Sequence, residues 1–251
     1  MPVDFHGATT ITTRNDQSYG LKNMIHAALD TSDGVALAIS QDDDMLYNGR
    51  LDASGRNSDR QLVPFVIDAL AKNGLTPADV THWSVGTGPG SFAGLRCGIA
   101  MLKGFRMVSG AFLRGIPTSC AIAARIADGK KQLIGVLHDG RCNQVLLARV
   151  QGDSPANCQL AEMPRPLDPE ELLDDGHRCD CYAALADVAL PDLPPSIAQR
   201  LHRPDAVDAA MMLTASERLY PWPQSEEEVE QSTAPLYVRQ AVFVHPAILR
   251  A

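Results

Sequence analysis

Glutamate is missing from the first half of this chain. Residues 1–127 carry 11 Asp, no Glu and 11 Lys plus Arg, so they are neutral. Residues 128–251 carry 11 Lys plus Arg against 19 Asp plus Glu, and that excess is the whole formal charge of −8. Basic residues are nowhere clustered, which argues against autonomous nucleic-acid binding, since that needs grouped Lys and Arg to meet phosphates. No apolar run approaches the roughly 18 residues of a membrane span, and residues 1–23 lack the apolar centre of a signal peptide. A cytoplasmic chain is the expectation. The six cysteines contain no C-x-x-C pair. Cys179 and Cys181 form a lone C-x-C, so buried thiols are expected rather than a disulfide frame. No two of the seven histidines lie within ten residues of each other, which removes the i, i+4 pair of a helical metal site. Walker A, Rossmann and G-x-S-x-G patterns are also missing. No catalytic set and no metal site is expected.

What is present centres on Gly86-Thr87-Gly88-Pro89-Gly90-Ser91-Phe92-Ala93-Gly94-Leu95-Arg96-Cys97-Gly98. Val80–Val85 is rich in β-formers and reads as a strand. The glycines permit a sharp strand-to-helix turn, and Ser91 is placed to cap the helix that follows. Gly94, Gly98 and Gly104 lie inside that helix, at a combined cost of about 2–3 kcal/mol against alanine. Gly90, Gly94 and Gly98 share one side, so a second helix, a strand or a ligand must come too close there for a Cβ. A glycine turn feeding a helix N-terminus is also suited to an anion.

Along the chain, Met24–Leu29, Val35–Ile39 and Met45–Leu51 read as a three-stranded meander. A helix over Ser58–Asn73 follows, closed by Gly74, with Pro64 expected in or near its first turn. The glycine helix spans Ser91–Ser109, Gly115–Pro117 is a short strand, and Thr118–Ala127 is a third helix. The order β-β-β-α-β-α-β-α is that of a layered α/β unit. The pattern restarts at Gln132–His138, with Asp139-Gly140 marking a hairpin into Cys142–Val150. Twelve of the 17 prolines lie beyond residue 150, so the second half is expected to be loopier. It should hold a helix near Asp168–Asp175, a strand near Cys181–Leu185, a helix over Asp205–Tyr220, a solvated acidic run at Glu226–Glu230 and an extended segment at Ala234–Arg239. The expected division is a leader at 1–23 and lobes at 24–127 and 128–251, with the C-terminal segment packing back on the first lobe.

Single residues leave alternatives open. Asp30 either orients a metal-bound phosphate or caps its own turn, the second being commoner. His138 beside Asp139 is either a catalytic pair or a strand end. Lys103 either reaches a phosphate or faces solvent.

The Asp30-Thr31-Ser32 strand end and the glycine motif resemble the bacterial TsaB (YeaZ) family, paralogues of TsaD/Kae1 in the actin/Hsp70/sugar-kinase superfamily. Asp139-Gly140-Arg141 and Pro235-Leu236-Tyr237-Val238-Arg239 match two further family motifs. The resemblance implies a two-lobed, ribonuclease H-like α/β fold built from duplicated units. It implies a non-catalytic subunit pairing with TsaD and TsaE to install threonylcarbamoyl on the adenosine 3′ of the anticodon in tRNAs reading ANN codons, meeting tRNA only through the complex. The two helices of the first lobe would make the contact with TsaD, or with a second copy, through Leu62, Val66, Ala69, Gly94, Leu95, Gly98 and Ile99. Asp30, Thr31, Ser32, Gly88, Pro89, Gly90 and Ser91 would be a degenerate nucleotide site with no required cofactor and at most weak ATP or ADP binding. The competing readings are an active ATP-dependent phosphotransferase of the same superfamily, using Asp30, and a metallopeptidase.

Overall fold

The computed structural model describes residues 24–51, 56–140 and 143–237, without the side chains of 56–59. The expected leader at 1–23 lies outside the described residues, as do Arg141, Cys142, Val238 and Arg239.

The first half contains β1 (Ile25–Asp30), β2 (Val35–Gln41), β3 (Asp44–Leu51), α1 (Arg56–Ala71), β4 (His82–Gly86), α2 (Phe92–Ser109), β5 (Phe112–Ile116) and α3 (Thr118–Ala124). The β-β-β-α-β-α-β-α order is as the sequence reads. Alternation along β1 and β2 explains the layers. Ala27, Leu29, Val35, Leu37 and Ile39 face α1 and α2, while Ala28, Ala36 and Ala38 face the other way, onto the short helix at Ala210–Leu213. Both strands are therefore apolar on both faces, as a doubly covered sheet requires.

The second half runs β6 (Gln132–Asp139), β7 (Val145–Gly152), β8 (Gln159–Leu167), α4 (Pro169–Asp175), β9 (Cys181–Ala183), α5 (Pro195–Ala198), β10 (Leu201–His202), α6 (Ala210–Leu213) and α7 (Glu226–Ser232). The two sheets repeat one topology. Their orders are β3-β2-β1-β4-β5 and β10-β9-β6-β7-β8. In each, the first strand pairs antiparallel with the second and parallel with the fourth. The result is the expected two-lobed α/β architecture of duplicated units.

Three expectations are corrected. Pro64 is the ninth residue of α1, not in its first turn. It is tolerated there because that side of the helix is exposed, so the carbonyl it leaves unpaired can bond water. No strand was expected at Gln159–Leu167, where Pro164 and Pro166 discourage one. β8 accommodates them because it is the edge strand, pairing with β7 alone, and an edge strand tolerates residues that donate no N–H. The helix expected over Asp205–Tyr220 shrinks to the four residues of α6. Of the side expected to face inward, Val207 and Ala210 are buried, but Met211 is only half-buried, Thr214 is exposed and Met212 is buried instead, and the segment's bonds go elsewhere. Ser216 N donates to Ala156 O, and the Ala215 and Tyr220 carbonyls accept from Arg114.

The acidic run is also more than a solvated surface. It forms α7, whose Glu226 and Glu230 pair with Arg106 and Lys103 of α2, each at 2.6 Å. Val229 is buried in the first core, and Leu236 N donates to Thr87 O at 2.8 Å. No helix among the described residues is long and apolar enough to cross a membrane.

Candidate functional site

The glycine turn, the β1–β2 turn and the start of α3 meet around Asp30. Its carboxylate is buried beneath Gly86, where a Cβ would collide with it. Oδ1 accepts from Ser32 N at 2.8 Å and Ser32 Oγ at 2.6 Å, and Oδ2 accepts from Thr118 Oγ1 at 2.6 Å. Burial pushes its pKa up, while these three bonds pull it down. Asp30 thus caps the turn from inside the protein.

The amides that would cradle an anion are largely committed within the chain. Gly88 N donates to Thr118 Oγ1 at 3.1 Å, and Thr118 N returns a bond to Gly88 O at 2.8 Å. Ser91 N donates to Ser32 O at 2.7 Å. Ser91 Oγ caps α2 by accepting from Gly94 N at 3.2 Å. Thr31, Ser32, Gly88 and Pro89 are buried, and only Gly90 and Ser91 reach the surface.

The glycine stripe is explained by the same turn. A Cβ on Gly90 would meet Ser32, one on Gly94 the Thr31 carbonyl, and one on Gly98 the Thr31 hydroxyl at 2.5 Å. The close neighbour is therefore the chain's own β1–β2 turn, not a partner's helix. Gly104 differs: nothing lies within 4 Å of its Cβ position. It follows Gly98 by six residues, about 240° around the helix.

The residues expected at the partner contact lie inward. Leu62, Val66, Ala69, Leu95 and Ile99 are each at most 5% exposed and belong to the interior of the first lobe. Sheet, turn and α7 together cover these five, and the apolar side chains that α1 and α2 leave exposed are others. The outward face of α2 carries Ala93, Cys97, Ala100, Gly104 and Val108, all exposed. Met107 and Val108 are 83% and 88% exposed, and Val63 of α1 is 46% exposed. The signal for this face was in the sequence, as small residues at i, i+4, i+7 and i+11, but the inward glycines masked it.

His138 is buried, with Nε2 2.8 Å from Ser119 Oγ, and burial pulls its pKa down to about 4. It is a neutral structural imidazole at ordinary pH. Lys103 is held by Glu230 rather than facing a phosphate. Among the described residues no group of three or more His, Cys, Asp or Glu could hold a metal ion.

Residues 52–162 match the family model described as TsaD, tRNA N6-adenosine threonylcarbamoyltransferase. Over 145 residues, 57% of this chain and 62% of the relative, the sequence is 27% identical to the tRNA threonylcarbamoyladenosine biosynthesis protein TsaB of Escherichia coli K12. It is 30% identical over 139 residues to the TsaB of Haemophilus influenzae, covering 52% of this chain and 55% of that one. A Pseudomonas aeruginosa protein described as similar to peptidase YEAZ superposes with a TM-score of 0.65 at 21% identity, over 86% of this chain and all of the other. The chain is similar to TsaB proteins over part of its length and shares its fold with YeaZ. The matched region spans about six-tenths of the length of the curated TsaB relatives, and the YeaZ likeness extends the shared fold over both sheets. Within this chain, the glycine motif is part of the interior and the opposite side of the same helix is exposed.

Proposed function

We propose that this chain is a non-catalytic subunit acting with TsaD and TsaE in tRNA threonylcarbamoyladenosine biosynthesis, and that the outward face of α2 is where TsaD, or a second copy, docks. The likeness to the E. coli and H. influenzae TsaB proteins supports the process. One observation carries the role: α2 seals its glycine-notched side against Thr31 and Ser32 while leaving Ala93, Cys97, Ala100 and Gly104 bare. Small side chains let a second helix approach closely, and Met107, Val108 and Val63 add exposed apolar area at the margin. A nucleotide at the glycine turn would have to displace the bonds that Ser32, Thr118 and Ser91 already make.

The test is reconstitution with TsaD and TsaE from the same organism and an ANN-reading tRNA. Complex formation is followed by analytical ultracentrifugation, and the modified adenosine by mass spectrometry. Ala100→Arg should abolish association while leaving the melting temperature near wild type. Modification that proceeds unchanged without this chain would overturn the role, and ATP turnover by the isolated chain would favour a phosphotransferase instead.

A further inference from the structure

We infer that α7 and the residues after it guard the free edge of β5, and so keep this chain from pairing with a second copy of itself along that edge. β5 lies at one end of the first sheet and, among the described residues, pairs with β4 alone. Phe112 N donates to Thr81 O at 2.9 Å, and Ile116 O accepts from Thr87 N at 3.0 Å. Phe112, Arg114 and Ile116 therefore turn their backbone groups to β4, and Leu113 and Gly115 turn theirs outward. Such an edge is a template for another strand unless proline, lysine or a covering element blunts it. β8 carries Pro164 and Pro166. β5 has neither proline nor lysine, and its one charged side chain, Arg114, is buried. The edge is also matched to itself. In an antiparallel pair centred on Arg114, Leu113 of each copy would face Gly115 of the other, and every outward group of these residues would find a partner.

α7 stands in the place of that second strand. It packs against β5. Ser232 Oγ accepts from Gly115 N at 2.8 Å, and a Cβ on Gly115 would collide with the Ser232 carbonyl oxygen. Val229 anchors the helix in the first core, while Glu226 and Glu230 hold it to Arg106 and Lys103 of α2. Past the helix, Leu236 N donates to Thr87 O just beyond the end of β4, and Tyr237 Oη accepts from Arg96 Nε at 2.8 Å. The segment is thus fastened to the first lobe both before and after the bond to β5.

Analytical ultracentrifugation of the full chain tests this, with Ala100→Arg in every sample so that association through the outward face of α2 does not register. Ala100→Arg alone should be monomeric. Adding Glu226→Lys and Glu230→Lys sets like charges against Arg106 and Lys103, and adding Val229→Asp instead puts a charge into the buried anchor. Each should tighten self-association at least tenfold. In the associated form the Leu113 and Gly115 amides should exchange with deuterium at least tenfold more slowly than in the same variant diluted to monomer. A folded variant that stays monomeric, or a dimer in which these two amides stay fast, would overturn the inference, as would equal self-association of Ala100→Arg alone. Where Val229→Asp does not fold, the charge reversal decides, because it alters only solvent-facing glutamates.

Discussion

Thr31 occupies the space over Gly98, its hydroxyl oxygen 2.5 Å from where a side chain would begin. One turn earlier, the Thr31 carbonyl does the same to Gly94. These contacts make the glycine helix a socket for the β1–β2 turn and separate two kinds of glycine on one helix.

Gly94→Ala and Gly98→Leu should therefore destabilise the isolated chain, by about 1–3 kcal/mol or more, because overpacking displaces a buried turn. Gly104→Ala should stabilise it by up to about 1 kcal/mol, since the site is open and alanine is the better helix former. Urea titrations of the three variants check this. A neutral Gly98→Leu would mean that Thr31 does not fill the socket.

The acid limb of stability should run through His138. Its buried imidazole resists protonation down to about pH 4, whereas in the unfolded chain it takes a proton near 6.5. Its contribution is complete above pH 6.5 and is lost as pH falls toward 4, on the order of 3 kcal/mol. His26, pulled down to about 3 by burial first and by the Arg114 charge second, acts in the same direction. Asp30 acts oppositely. Its raised pKa withdraws stability as pH climbs above the ordinary carboxylate value of 3.8. Melting temperatures of wild type and His138→Gln between pH 7 and 4 should converge on acidification; parallel curves would exclude His138 as the source.

The ties between α2 and α7 should differ by kind. Lys103→Gln with Arg106→Gln breaks two solvent-facing ion pairs and should lower stability by less than about 1 kcal/mol each, with the difference fading in high salt. Val229→Ala removes buried apolar atoms from the first core and should cost about 1–3 kcal/mol at any ionic strength. Denaturation at low and high salt separates them.

Adding magnesium–ATP or ADP should leave the melting temperature unmoved, because Gly88 N, Ser91 N and Gly94 N and both Asp30 oxygens already have partners. A concentration-dependent rise would show a nucleotide site that these bonds yield to.

Much of this was legible in the residues. Alternating apolar runs located β1 and β2, Ser91 marked the start of α2, and Asp139-Gly140 marked the turn after β6. These features are local: period, cap and turn chemistry depend on neighbours a few residues apart. The interior residues of α1 and α2 were also identifiable, but their facing direction was not. An apolar stripe states that something covers it and does not name what does.

The linear sequence by itself determined the strand and helix order of the first half, the need for a close neighbour along Gly90, Gly94 and Gly98, and the family resemblance those residues carry. Only the tertiary structure decided that the neighbour is Thr31 and Ser32, that Pro164 and Pro166 sit on an edge strand, and that Arg114 takes the Ala215 carbonyl that a longer helix over 205–220 would have kept. It also decided that Glu226 and Glu230 reach back to α2. Each of these joins residues far apart in the chain or depends on a strand's place in its sheet. Local propensity does not encode such pairings; they follow from which surfaces are left to cover once the two sheets have packed.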